Sequence, residues 1–293
     1  MKASIVIPTM KRPEILRDTL ASVVACDPPA LEVIVIDADP EQSARQVIEE
    51  LARHPPPAFY YGASPPSLTH QRNLGIDAAT GDVIVFLDDD VAVPTTLFAR
   101  LAEAYADPDV VGATGRVIEE ADTRIGNPRS RLRGLVLRGR EGQFTRYGFP
   151  HYVRDAKSPR DVEYMLGCFM SARRRDATEV RFDEELGGYA LAEDEDFSYR
   201  LSRRGRIRYL PDLVVLHHKF GFSSAKDTRE FSKLVVHNRA YVFRKNFPQT
   251  LRARMGFVGL LVMLLVHRLV NRQWQGFRGL VDGMVELWRP RRT

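Results

Sequence analysis

The feature that most constrains this chain is an alternation in its first ninety residues, where short unbroken apolar runs take turns with amphipathic ones. Residues 4–8 (SIVIP), 31–36 (LEVIVI) and 82–87 (DVIVFL) are β-branched-rich and apolar on both sides, as strands covered on both faces must be. Between them, residues 13–25, 42–52 and 69–79 follow a helical period. The first of these puts Ile15, Leu16, Thr19, Leu20, Val23 and Val24 on one side, and the third is closed by a turn at Gly81. A short further strand is predicted at 59–61. This pattern predicts an α/β fold with a mainly parallel central sheet flanked by helices. In such sheets ligands bind beyond the carboxyl ends of the strands. Three polar clusters fall at those ends: Pro8-Thr9, Asp37-Ala38-Asp39 and Asp88-Asp89-Asp90. They are far apart in sequence and predicted to lie side by side.

From about 110 to 220 the pattern is less regular. A Gly- and Arg-rich stretch, 126–149, reads as a long loop or an insertion over the site. A strand is predicted at 164–171, a helix at 193–204 and a strand at 213–217. At 293 residues, with 44% hydrophobic and 28% charged residues, the chain can bury a full core and is not of disordered type. Cys26 and Cys168 stand far apart without metal-type spacing, which suits a reducing compartment. The apolar run at 4–8 is too short for a secretory leader and is read as a strand.

Charge divides the chain. From Arg239 onward eleven Lys/Arg face only Asp282 and Glu286, an excess of nine; against a total of +5, residues 1–238 are four charges negative. A basic tail on an acidic body points to an anionic surface as the tail's partner. Nucleic acid fits less well, because the basic residues are interleaved with aliphatic runs rather than stacking aromatics.

Three consecutive carboxylates at 88–90 repel one another unless a cation sits among them, and hard divalent ions take oxygen ligands shared with substrate phosphates. A solvated acidic turn is the alternative. Glu193-Asp194-Glu195-Asp196 opens a helix after Gly187-Gly188-Tyr189. Acidic residues there favour the helix dipole, but four exceed what capping requires, and one could serve as a general base. Arg72, near the start of the third helix, could bind a diphosphate or a base carbonyl through its planar fork, or be an ordinary surface arginine. His217-His218, after an apolar strand, offers an imidazole ligand or a structural pair.

In order, SIVIPTMKR, VIVIDAD, QRNLGIDAATGDVIVFLDDD, YMLGCFMSARR, ELGGYALAEDEDFSYRLSRRG and YLPDLVVLHH resemble glycosyltransferase family 2, the inverting enzymes of GT-A fold, over roughly residues 3 to 225. The resemblance implies a GT-A catalytic domain over 1–225, with a nucleotide-sugar-binding half (1–110) and an acceptor-binding half (111–225), followed by a helical, basic and apolar region at 226–293. It implies donor contacts at Pro8, Thr9, Asp37, Arg72, Asp88 and Asp89, and Asp90 as the main carboxylate ligand of Mg²⁺ or Mn²⁺, with Asp88. Asp194 would deprotonate the acceptor hydroxyl, and Gly167 and Glu193 would border the acceptor. A histidine completing the metal site is His217 counted from Pro211 and His218 counted back from Gly221. Neither the Gln-x-x-Arg-Trp element of processive synthases nor the long transmembrane helices that follow it is found, so a single-addition enzyme is expected. Its partners would be a nucleoside-diphosphate sugar and a glycan or lipid-linked acceptor, in cell-surface polysaccharide or glycolipid biosynthesis.

Two other readings stay open: a nucleotidyltransferase, for which the loop after the first strand lacks the expected glycines, and a non-catalytic nucleotide-sugar-binding module. In the tail, the twelve apolar residues 255–266 are fewer than the about 20 needed to span a bilayer. Trp274, Phe277, Val281, Met284 and Trp288 recur on one helical face. With Arg268, Arg272, Arg278 and Arg289 around them, these stripes predict a cytoplasmic protein held peripherally on the inner face of the cell membrane. Packing on the chain itself or across a dimer is the competing expectation.

Overall fold

Every residue of the first, second and fourth strands is buried, as the continuous apolar runs predict. The computed structural model describes residues 1–53, 56–119, 139–153, 156–186, 190–218 and 228–288. In chain order the elements begin β1 (Ala3–Thr9), α1 (Pro13–Val24), β2 (Glu32–Asp37), α2 (Arg45–Leu51), β3 (Ala58–Ala63), α3 (Leu68–Ala78) and β4 (Val83–Leu87). Then come β5 (Val91–Ala92), α4 (Leu97–Tyr105), β6 (Val110–Glu119), β7 (Arg160–Val162), β8 (Phe169–Arg173), α5 (Arg174–Val180), α6 (Glu193–Ser202) and β9 (Arg206–His217). Three helices end the described chain: α7 (Arg229–Asn246), α8 (Leu251–Val270) and α9 (Trp274–Trp288).

The chain forms two compact units, Met1–Gln143 with His151–Lys219, and Phe144–Pro150 with Phe220–Thr293. In the first, the sheet runs β3-β2-β1-β4-β8-β6-β9-β5, with β7 also paired to β9. The pairs β3/β2, β2/β1, β1/β4 and β6/β9 are parallel, while β8 lies antiparallel between β4 and β6. Alternate residues feed two cores. Ile5, Ile7, Val33, Val35, Val85 and Leu87 pack with Leu16 and Leu20 of α1, Val47 of α2 and Leu101 of α4. Val6, Ile34, Ile84 and Phe86 pack with Ile76 of α3, Ala177 of α5 and Phe197 of α6. Helices thus cover both faces, and the α/β expectation holds.

Several boundaries differ from the sequence reading. The strand expected at 164–171 begins at Phe169, so residues 164–168 approach it without strand structure. The strand expected at 213–217 starts at Arg206, because Ile207 and Tyr209 bury one side while Arg206 and Arg208 hold ion pairs on the other. Helix α4 and strand β6 had no counterpart in the expectations. Of the 126–149 stretch, 126–138 lies outside the described residues, as does the turn at 187–189.

In the second unit α7 and α9 are joined by ion pairs from Arg229 to Asp282 and from Lys233 to Glu286, with His237 Nε2 2.9 Å from Glu286. Gly279 and Gly283 let the helices touch: a Cβ at Gly279 would stand 2.0 Å from the Arg229 carbonyl oxygen. The apolar run 255–266 corrects one expectation. It sits inside a helix of 20 residues with mean hydropathy 1.7, long and apolar enough to cross a membrane by length and composition, so length does not exclude spanning. Only 22% of its most apolar window is buried.

Candidate active site

The parallel strands end side by side, and their last residues build the site. Thr9 closes β1 opposite Asp37 of β2, with Pro8 buried beside it. Asp37 is fully buried. Its carboxylate accepts from the Asp39 N–H at 2.8 Å, the Ala44 N–H at 3.1 Å and the Tyr61 hydroxyl at 3.1 Å. It therefore shapes the loop after β2 rather than presenting an open carboxylate.

The acidic triplet follows β4, and its three members have separate surroundings. Asp89 is enclosed: the Thr9 hydroxyl donates to it at 2.7 Å and Arg12 stands 2.6 Å away. Burial pushes its pKa up to about 6, against the opposing influence of Arg12 and Thr9. Thr19 of α1 accepts from the Val91 N–H and donates to the Asp89 carbonyl, pinning the turn. Asp90 pairs with Arg12 at 3.3 Å and with the His217 Nε2 at 3.2 Å. The register explains this contact, because β5 runs antiparallel to β9 with Val91 opposite His217. Ligand atoms of Asp88, Asp90 and His217 all lie within 4.8 Å of one another. His218 instead gives its backbone N–H to the Asp90 carbonyl at 2.8 Å.

Arg72 links this cluster to the second acidic segment. Gly75 seats α3 directly on β1, since a Cβ there would come within 2.2 Å of Val6. Gln71 then donates to the carbonyls of Thr9 and Ile36 at the ends of β1 and β2. On the next position the Arg72 guanidinium, 0% exposed, donates to Glu193 at 2.8 Å, Asp88 at 3.0 Å and the Gly167 carbonyl at 2.9 Å. Burial opposes its charge, but Glu193 and Asp88 outweigh that cost and raise its pKa. It is a buried knot between elements and not the surface arginine of the alternative reading.

At the start of α6 the four acidic residues divide. Glu193 is buried against Arg72, and Asp196 pairs with Arg200 one turn on. Glu195 is buried as well. Asp194 alone is partly exposed. Its Oδ2 accepts from the Tyr164 hydroxyl at 2.7 Å and the Gly167 N–H at 3.1 Å, and its Oδ1 from the Glu195 N–H at 2.8 Å. Burial raises the Asp194 pKa, with Tyr164 the largest opposing influence; Glu193 is raised by burial and by Asp194. Gly167 lies close to both carboxylates: a Cβ there would stand 3.1 Å from Glu193 Oε1 and 3.4 Å from Asp194. Ala192, just before the helix, has φ +73, a left-handed conformation unusual for a non-glycine residue. Sequence reasoning missed Arg12, Thr19 and Tyr164. Tyr164 did carry a signal, standing three residues before Gly167 in YMLG.

A sheet of this order, with carboxylates gathered at the strand ends and an acidic helix start joined to them, is that of a GT-A glycosyltransferase. A mannosyltransferase, PcManGT from Pyrobaculum calidifontis, solved with GDP-Man and Mn²⁺, matches it at TM-score 0.63 and 17% identity, over 98% of this chain and 87% of that one. The chain belongs to glycosyl transferase family 2, whose family model matches residues 4–182. Among curated relatives, the succinoglycan biosynthesis protein ExoM of Rhizobium meliloti is 38% identical over 113 residues, 37% of this chain and 36% of its own length. A Campylobacter jejuni enzyme, GalNAc(5)-diNAcBac-PP-undecaprenol beta-1,3-glucosyltransferase, is 29% identical over 114 residues, 36% of each. These matches span little more than a third of either relative.

Proposed function

We propose that this chain transfers a single sugar, with inversion, from a nucleoside-diphosphate sugar to a hydroxyl of a glycan or lipid-linked acceptor, in cell-surface polysaccharide or glycolipid biosynthesis. The observation that carries the reading is the linkage of two acidic clusters through Arg72, which bonds Asp88 and the Gly167 carbonyl while Gly167 and Tyr164 hold Asp194. The relatives' names support it: one makes succinoglycan, another extends an undecaprenol-linked glycan, and PcManGT was solved with a nucleotide sugar.

Asp88, Asp90 and His217 suit a hard divalent cation, Mg²⁺ or Mn²⁺: ligand atoms of two carboxylates and an imidazole converge within 4.8 Å of one another. When bound, such an ion offsets the charge that grows on the departing nucleoside diphosphate. Thr9 and Arg12 fix Asp89, and Asp37 fixes the β2 loop on the donor side. Arg72 positions Asp88, Gly167 and Glu193. The Asp194 carboxylate takes the acceptor's proton as its oxygen bonds the anomeric carbon and the bond to the diphosphate breaks. Glu193 supports this centre through Arg72.

The second unit supports a peripheral place on the inner membrane face. On α8, Ala253, Phe257, Leu260 and Leu261 are buried while Met255, Val258, Val262 and Val266 are exposed, a two-sided helix suited to an interface. The test is a panel of GDP-, UDP- and dTDP-sugars assayed for cation-dependent hydrolysis and thermal stabilisation. At least one donor should respond with Mn²⁺ or Mg²⁺ and lose the response in EDTA. A panel with no responding donor rejects the proposal.

A further inference from the structure

We infer that the second unit holds a binding cleft for one anionic phospholipid of a bilayer surface, a reading that rests on the peripheral membrane placement proposed above. A cleft of about 460 Å³ lies among α7, the turn after it, α8 and α9, within the range of pockets that take small ligands. Its walls are apolar: Phe243 and Phe257 stack at 4.6 Å, and Val258, Leu261 and Leu287 complete them. The polar side chains at its edge are Gln249, which is spent on the Phe243 and Phe247 carbonyls, and two arginines, Arg244 and Arg254. Both arginines are exposed, none of the lining residues is acidic, and among the described residues neither arginine has an ion-pair partner. Arg254 lies in the first turn of α8, where the helix dipole disfavours a cation. Two exposed cations beside a hydrocarbon-lined cleft complement a phosphate attached to an acyl chain. Val258 is both a cleft wall and a member of the exposed α8 stripe, so the cleft opens onto the face assigned to the membrane.

The experiment is co-sedimentation of the full chain with vesicles of phosphatidylcholine alone and of phosphatidylcholine with phosphatidylglycerol. It compares wild type, the Arg244→Gln/Arg254→Gln pair, Val258→Asp, and an Arg53→Gln/Arg252→Gln control that removes equal charge from exposed residues that do not line the cleft. Thermal melts establish that each variant is folded. Wild type should bind the anionic vesicles, the cleft pair should lose about thirtyfold in partitioning, and the control pair clearly less. Val258→Asp should also bind poorly, and on neutral vesicles wild type and the cleft pair should match. Equal losses in the two arginine pairs, or undiminished binding of the cleft pair, overturn the cleft while leaving membrane placement standing. Wild type that ignores anionic vesicles at low salt overturns both.

Discussion

Asp194 and Asp196 are two residues apart on one helix, yet their surroundings separate them: Arg200 neutralises Asp196, while Asp194 is partly exposed and held by Tyr164 and Gly167. Asp194→Asn should leave donor binding near wild type and lower kcat by about 10²- to 10⁴-fold, the usual contribution of a general base. Steady-state kinetics with the responding donor checks this, and an unchanged kcat moves the base elsewhere. Tyr164→Phe should cost less, about tenfold in kcat with donor KM unchanged, because the carboxylate keeps its backbone donors. It should also shift the pH profile. Burial already raises the Asp194 pKa, so the rate should fall on the acid side at a higher pH than a free aspartate would give. The Tyr164 hydrogen bond favours the charged form, so its removal should move that limb further up. A Tyr164→Phe profile that overlays wild type would mean that the hydroxyl does not touch the working base.

At the scale of elements, the β5/β9 pairing brings the His217 imidazole to within 3.2 Å of Asp90. His217→Ala should weaken Mn²⁺ binding by more than about tenfold, measured by electron paramagnetic resonance without any nucleotide, while His218→Ala should change it little. The reverse order would contradict the register. This choice was not legible in the sequence, where counting from Pro211 and from Gly221 gave different answers; a two-residue strand such as Val91–Ala92 has no periodicity to read. The parallel half was legible because β1, β2 and β4 are buried on both faces and read as unbroken apolar runs. β6 was not, since Gly112, Gly115 and Arg116 interrupt it and its pairing with β9 is irregular there. The acidic residues announced themselves by type and position at strand and helix ends. Their partners did not: Tyr164 and Arg12 act through contacts made 30 and about 80 residues away, which no local pattern encodes.

Across the whole molecule, an acidic sheet unit carries the clustered carboxylates and a basic helical unit carries an exposed apolar surface. The division suits an enzyme whose acceptor is anchored in a membrane while its donor arrives from solution. The proposed donor binding rests on Asp88, Asp90 and His217, whose ligand atoms could hold a divalent cation beside the diphosphate. The most direct measurement is a calorimetric titration of the nucleoside diphosphate of the responding donor into wild type and Asp90→Asn, each with Mn²⁺ and with EDTA. A neutral amide is a far poorer ligand for a hard cation, so wild type should bind in Mn²⁺ and lose most of its affinity in EDTA. Folded Asp90→Asn should bind equally weakly in both. Wild-type affinity undiminished by EDTA, or Asp90→Asn binding as wild type does in Mn²⁺, would contradict the account.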